Sequence, residues 1–209
     1  MANSRDTRKL GDIASFVLIA FLGYGCTQES KSLTPQDIYE QEASLVSIKI
    51  HGATEGSGFL DGISCNDKPA RSPYKKPYCN IEYTVTTAAH VVKSLSRDDE
   101  LVVITNDGSS HNVTSISFYD ANLDLASLTF GISEPKYHVA TLRTTESEVV
   151  PGDPVFVSGF PLQTTADPNR TLRFTEGKII SVMNNKVHGG YQLIYSNSTL
   201  PGMSGSPLF

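Results

Sequence analysis

A chain of 209 residues with 39% hydrophobic side chains is long enough and apolar enough to bury a core, which excludes a disordered tail. Its 17 Lys+Arg and 22 Asp+Glu give a net charge of −5 with no long run of either sign. That balance argues against nucleic acid as the partner.

Arg5, Arg8 and Lys9 precede an uncharged, mostly apolar run over residues 13–25, the layout of a secretory signal. The run is too short to span a bilayer comfortably, which disfavours a transmembrane anchor. Gly23-Tyr24-Gly25 is a small-x-small cleavage step, and Cys26 follows it directly. Residues 1–25 therefore read as a signal peptide or, with a lipid on Cys26 attaching the chain to a membrane, as a lipoprotein signal. Either way the chain is exported, to the periplasm, the cell envelope or the medium. There, in an oxidising compartment, Cys65 and Cys79 can pair, closing a loop of about 15 residues and contributing about 3 kcal/mol by chain entropy. Cys26 is then the odd thiol, and lipidation would remove it. The alternative is two unpaired thiols, since the spacing matches no zinc pattern.

Residues 26–41 read as a tether and a short helix, with Thr34, Pro35 and Asp37 at the helix start. From Leu45 the period becomes two: Val46, Ile48 and Ile50 alternate with Ser47 and Lys49, a half-buried strand. Gly56-Ser57-Gly58-Phe59-Leu60 begins a second strand, with glycines where backbones approach closely. Residues 61–80 carry both cysteines and read as an exposed insertion at a hairpin end. A β-branched strand from Tyr83 then runs into Ala88, Ala89 and His90, small residues that allow a tight turn with His90 at its lip. Strands are expected over 101–105 and 113–118, divided by a polar segment that opens with the turn Asn106-Asp107-Gly108. Residues 123–130 read as an apolar strand that encloses Asp124. That carboxylate must be hydrogen-bonded if buried, or else it sits at the strand's wet end. A weakly patterned linker, 133–148, leads to a second unit. Pro151-Gly152-Asp153 opens that unit, followed by strands near 154–160, 172–183 with Gly177 at a bulge, 191–195, and one beginning at Gly205. Short strands at regular intervals with almost no helix mean an all-β barrel or sandwich.

Ser204, framed by Gly202 and Gly205, can sit on a tight turn with its hydroxyl exposed and the amides of Gly202 and Ser204 aimed at one spot, suited to a developing oxyanion. A serine so used needs a histidine base and a group to orient that base. Taken alone, the stretch is equally a Gly/Ser/Pro turn entering a strand. His90, Asp124 and Ser204 occur in the order base, orienter, nucleophile. Asp120 is the rival to Asp124, but it precedes a polar turn. His51, His111, His138 and His188 lack such contexts and read as surface or strand residues. Asn112, Asn169 and Asn197 begin glycosylation triplets, and a glycan on Asn197 would crowd Ser204.

Thr87-Ala88-Ala89-His90, Asp124-Leu125-Ala126 and Gly202-Met203-Ser204-Gly205-Ser206-Pro207 resemble the three signatures of the chymotrypsin/trypsin-like serine endopeptidases. The likeness is nearest to the bacterial branches that include glutamyl endopeptidases and the Deg/Htr proteases, and it extends over about residues 42–209. It implies two perpendicular six-stranded antiparallel β-barrels, residues 42–132 and 149–209, with the triad at their interface. It also implies peptide-bond hydrolysis through an acyl-enzyme on a protein or peptide substrate, with no metal and no organic cofactor. Ser204 would be the nucleophile, His90 the base and Asp124 its orienter, with the Gly202 and Ser204 amides as oxyanion hole. By family spacing Ser198 falls near the floor of the specificity pocket, where a neutral side chain argues against a Lys/Arg preference. Thr199 resembles a hydroxyl used by glutamyl-specific relatives.

The chain stops five residues after Ser204, so the resemblance implies an incomplete second barrel, with two strands and a pocket wall lying beyond. Leu208 and Phe209 are then expected to lack a strand partner. Two readings follow: a fragment of a longer active enzyme, or a short exported β-barrel protein that binds peptides or envelope partners without cleaving them.

Overall fold

The period-two stretches fold as antiparallel strands. The computed structural model describes residues 44–50, 53–68, 78–95, 99–142, 149–162, 164, 171–183 and 189–209. The expected leader, Cys26, the helix from Thr34, His51, His188 and Asn169 lie outside the described residues.

The first unit comprises β1 (Leu45–Ile50), β2 (Ala53–Lys68), β3 (Tyr78–Thr87), β4 (Leu101–Thr105), β5 (Ser110–Asn112), β6 (Ser115–Phe118) and β7 (Ala126–Ile132). They form one sheet in the order β5-β4-β1-β2-β3-β7-β6. The sheet curls around Val46, Ile48, Leu60, Tyr83, Val85, Val103, Leu128 and Phe130, each 1% exposed or less. Strict alternation along β4 and β7 sends one side chain in two into that core, and burying each contributes roughly 1.5–3 kcal/mol.

Three local expectations change. The strand expected over 113–118 begins only at Ser115 as β6, and the polar segment before it supplies β5; between them Val113 N–H donates to Leu101 O and Thr114 N–H donates to Thr129 O. The chain thus crosses from one edge of the sheet to the other. Within the expected exposed insertion, the described residues 61–68 and 78–80 continue the hairpin: β2 and β3 stay paired from Gly58 opposite Thr87 out to Lys68 opposite Tyr78, so Cys65 and Cys79 both lie on strands. Alternation fades there because the ribbon runs past the core, leaving Ile63 49% exposed. Finally, β7 begins only at Ala126, so Asp124 lies in the connection from β6. Asp124 N–H donates to Gly189 O and Leu125 O accepts from Tyr119 N–H, which takes both residues out of the ladder.

β2 carries one extra residue, Asp61, between the pairs Leu60–Val85 and Gly62–Thr84. Thr86 Oγ1 donates to its Oδ2 at 2.5 Å, while Oδ1 is buried without a partner among the described residues. Burial, offset in part by the Thr86 bond, raises this carboxyl above its ordinary value of 3.8. A carboxyl raised in the folded state holds its proton more tightly there. Its contribution to stability is therefore full below the unfolded value and falls as pH rises through the folded one. Asp61→Asn is expected to gain on the native chain in urea midpoint as pH rises from about 4 to about 7. Parallel midpoint curves would contradict this account of the bulge.

In the second unit β8 (Pro154–Gly159), β9 (Arg173–Val182) and β10 (Leu193–Tyr195) form a three-stranded sheet in the order β10-β9-β8. Gly177 pairs in register with Val155 and does not bulge; the irregularity falls between Ile194 and Tyr195. A side chain at Gly177 is excluded because its Cβ would lie 2.2 Å from Asn197 Oδ1. Leu208 and Phe209 do have a strand partner, contrary to expectation. Phe156 and Phe209 exchange backbone hydrogen bonds at 3.0 and 2.8 Å, and Val157 bridges Leu208. Burial drives that pairing. Leu208 packs with Val155, Val157 and Ile179, while Phe209 enters the seam between the units beside Leu45, Phe59 and Ala140.

Candidate active site

After β3 the chain makes a single helical turn, α1 (Ala89–Val92). Ala89, Val91 and Val92 are buried and hold the turn, which leaves the His90 side chain 43% exposed. His90 is therefore on a helical turn that follows the strand and its small residues. Facing it is Asp124, with a side chain only 14% exposed. His90 Nδ1 lies 2.5 Å from Asp124 Oδ2, and the His90 backbone N–H donates to Oδ1 at 2.7 Å. One residue thus engages both carboxylate oxygens and fixes their plane against the imidazole. Tyr191 also donates its hydroxyl to Oδ2.

Burial alone would raise the Asp124 carboxyl, but the hydrogen bonds from His90 and Tyr191 outweigh it and lower it from 3.8 to about 2. Asp124 is accordingly ionised at neutral pH and can only accept. Nδ1 of His90 must then carry the proton, and Nε2 is left as the basic nitrogen. Burial first, and the neighbouring carboxylate second, push the Tyr191 hydroxyl well above its ordinary range. Asp120, the rival, accepts from Asn122 N–H at 2.7 Å and caps its own exposed turn.

Ser204 lies in a turn closed by Met203 N–H to Leu200 O and Ser206 N–H to Met203 O, both 3.0 Å. Gly202 and Gly205 take the positive φ values of 91° and 84° that the turn requires. Ser57 ties this turn down. Its N–H donates to Ser204 O at 2.7 Å, and its Oγ donates to Gly202 O at 2.9 Å while accepting from Phe160 N–H at 2.8 Å. Its carbonyl accepts from Thr87 Oγ1 at 2.7 Å. Thr87 ends β3 just before α1, so one residue of β2 joins the Ser204 turn to the segment that presents His90. Pro201 O accepts from Leu162 N–H and Met203 O from Ser206 N–H. In trans peptides the N–H points opposite to the C=O, so the Gly202 and Ser204 amides face away from those partners.

The structure thus joins His90 to Asp124 directly and draws the Ser204 turn against the approach to His90. Ser198 is exposed and Thr199 half-buried on the segment that leads from β10 to this turn. Asn197, just before them, is buried, and its Nδ2 donates to Val155 O at 3.0 Å and Thr175 O at 2.8 Å. A glycan needs that amide in solvent, so this triplet is a structural brace. His111 is a member of an aromatic cluster, stacked on Phe130 with centroids 4.5 Å apart and its Nε2 2.6 Å from Tyr137 Oη. Among the described residues no group of three or more His, Cys, Asp or Glu could hold a metal ion.

The roles of Ser57, Tyr191 and Asn197 are not legible in the sequence. Two glycines around Ser57 and two before Tyr191 were the only local signs, and each marks a close backbone approach without naming the partner.

Residues 74–209 match the sequence model of the trypsin-like peptidase domain. Among solved structures, Deg5 is similar with a TM-score of 0.61 and 18% identity, over 86% of this chain and 82% of that one. The MamO protease domain from Magnetospirillum magneticum is similar with a TM-score of 0.54 and 18% identity, over 82% and 80%. The Rv3671c protease, in an inactive form, gives 0.50 and 20% identity, over 82% and 74%. At such identities the likeness is one of fold. No curated protein gives a significant match.

Proposed function

The chain belongs to the trypsin-like peptidase domain family, and from that premise we propose that it is a serine endopeptidase cleaving peptide bonds through an acyl-enzyme on Ser204. Its fold is all-β and chymotrypsin-like. The observation that carries the reading is the His90–Asp124 pair, in which an ionised carboxylate holds both the ring proton and the backbone of the base.

Ser204 Oγ attacks the substrate carbonyl carbon as its proton passes to His90 Nε2, and the amides of Gly202 and Ser204 receive the oxyanion. His90 then returns the proton to the leaving amine as the C–N bond breaks. Water, deprotonated by the same nitrogen, hydrolyses the ester and frees Ser204. Ser198 and Thr199 contribute to the pocket for the side chain before the scissile bond. In domain terms, residues 42–132 are the first barrel, 133–148 the linker and 149–209 the second barrel.

The same reading has the chain exported by residues 1–25, either freely secreted or with a lipid on Cys26 as its membrane attachment, and Cys65 paired with Cys79. In support of the last point, Cys65 is disulfide-bonded, and the hairpin register sets Cys65 opposite Ile81 and Cys79 opposite Asp67, on adjacent strands.

A fluorophosphonate probe tests the activity. The folded full chain is expected to be labelled, Ser204→Ala to lose the label entirely and His90→Ala to lose most of it. A folded native chain that takes no label would instead favour a binding protein without hydrolytic activity.

A further inference from the structure

Tyr191 belongs to the second unit, yet its hydroxyl donates to the same Asp124 oxygen that faces the His90 ring. Its reach is built into the backbone. Leu123 and Gly189 form a parallel bridge between the units, and Asp124 N–H donates to Gly189 O at 2.9 Å. Gly189 and Gly190 both take positive φ, 87° and 82°. Neither has room for a side chain: a Cβ on Gly190 would lie 2.4 Å from Leu123 Cδ2, and one on Gly189 would lie 2.6 Å from the Tyr191 ring. The ring therefore lies against Gly189, and its hydroxyl crosses to the carboxylate of the other unit.

We propose that Gly189-Gly190-Tyr191 is an inter-unit clasp and that Tyr191 is a positioning residue for Asp124. It supplies the carboxylate's third side-directed hydrogen bond, after the two from His90, and completes the set only when the two units are docked. Burial of Asp124 favours the neutral acid, which could not orient His90; the Tyr191 hydroxyl opposes that drift by stabilising the charge where it faces the ring. Among the described residues, His90 and Tyr191 are the titratable groups that bond this carboxylate. The effect on rate rests on the acyl-transfer reading above, whereas the effect on Asp124 rests on geometry alone.

Tyr191→Phe in the full chain keeps the ring against Gly189 and removes only the hydroxyl. Two readouts separate the clasp from the peptidase reading. By carboxyl 13C NMR, the Asp124 midpoint is expected to rise from about 2 by about one pH unit. Fluorophosphonate labelling of Ser204 is expected to slow about tenfold, the loss typical of one hydrogen bond to a charged group. Gly190→Ala, which retains the hydroxyl but displaces it, should raise the midpoint in the same direction. A raised midpoint in a chain whose native form takes no label would support the clasp while overturning the peptidase reading. Normal labelling with an unmoved Asp124 midpoint in Tyr191→Phe would overturn the clasp.

Discussion

Asp124→Asn is expected to slow fluorophosphonate labelling and peptide hydrolysis by about four orders of magnitude, with the fold retained. The size follows from which way the new amide must point. The His90 backbone N–H donates to Oδ1 at 2.7 Å, so the amide oxygen has to stay there; the flipped amide would set two donors face to face. The NH2 group then occupies the position of Oδ2, 2.5 Å from His90 Nδ1. There it donates to the ring, which forces the proton onto Nε2 and leaves no base for Ser204. Tyr191, whose hydroxyl donates to that position natively, has to turn and accept. The variant should remain folded, because volume and shape are nearly unchanged. A labelling rate within about tenfold of the native one would mean that His90 does not depend on Asp124 for its tautomer.

Gly205→Ala is expected to be strongly destabilising for so small a substitution. At φ 84° an alanine already bears left-handed strain. Its Cβ would also lie 2.3 Å from Ser57 O, 2.4 Å from Thr87 Oγ1 and 2.9 Å from Ala88 N. Two of these neighbours are backbone atoms in a region held by several hydrogen bonds, so they cannot give way without moving α1 or the Ser204 turn. Strain and overpacking together should cost roughly 3–5 kcal/mol, lowering Tm by about 10 °C. Gly108 provides the control, since it shares the backbone state at φ 80° but has nothing within 4 Å of an added Cβ. Gly108→Ala should cost only about 1 kcal/mol. Equal losses of Tm in the two variants would show that the packing around the Ser204 turn is slack.

The residues proposed to carry chemistry were legible as candidates because nucleophilic catalysis demands particular side chains in particular local settings. His90 after two alanines and Ser204 between two glycines each have such a setting. Strands β4 and β7 were legible because each presents one face to a core, and period two follows from that. The outer half of the β2–β3 hairpin was not, since a ribbon beyond the core has no inside face to mark. The place of Asp124 outside β7 also escaped notice: leucines on both sides suggest a strand, but Asp124 leaves the ladder to bond Gly189, which is remote in sequence. The supporting hydrogen bonds were hidden for the same reason. Tyr191 and Asp124 are 67 residues apart, Asn197 and Val155 are 42 apart, and neither polar side chain carries a local hint of such a partner.

Ser57 has a consequence for the order in which this molecule comes into being. Its hydroxyl is bonded to Phe160, 103 residues further on, and to Gly202, 145 residues further on. His90 and Asp124, by contrast, lie 34 residues apart within the first unit. Loops of the longer kind close late, after the sheets that bring their ends together have formed. A chain still emerging from synthesis can pair its histidine with its carboxylate, but it has no moored serine. On the peptidase reading, hydrolytic capacity would arrive only with the last contacts to form.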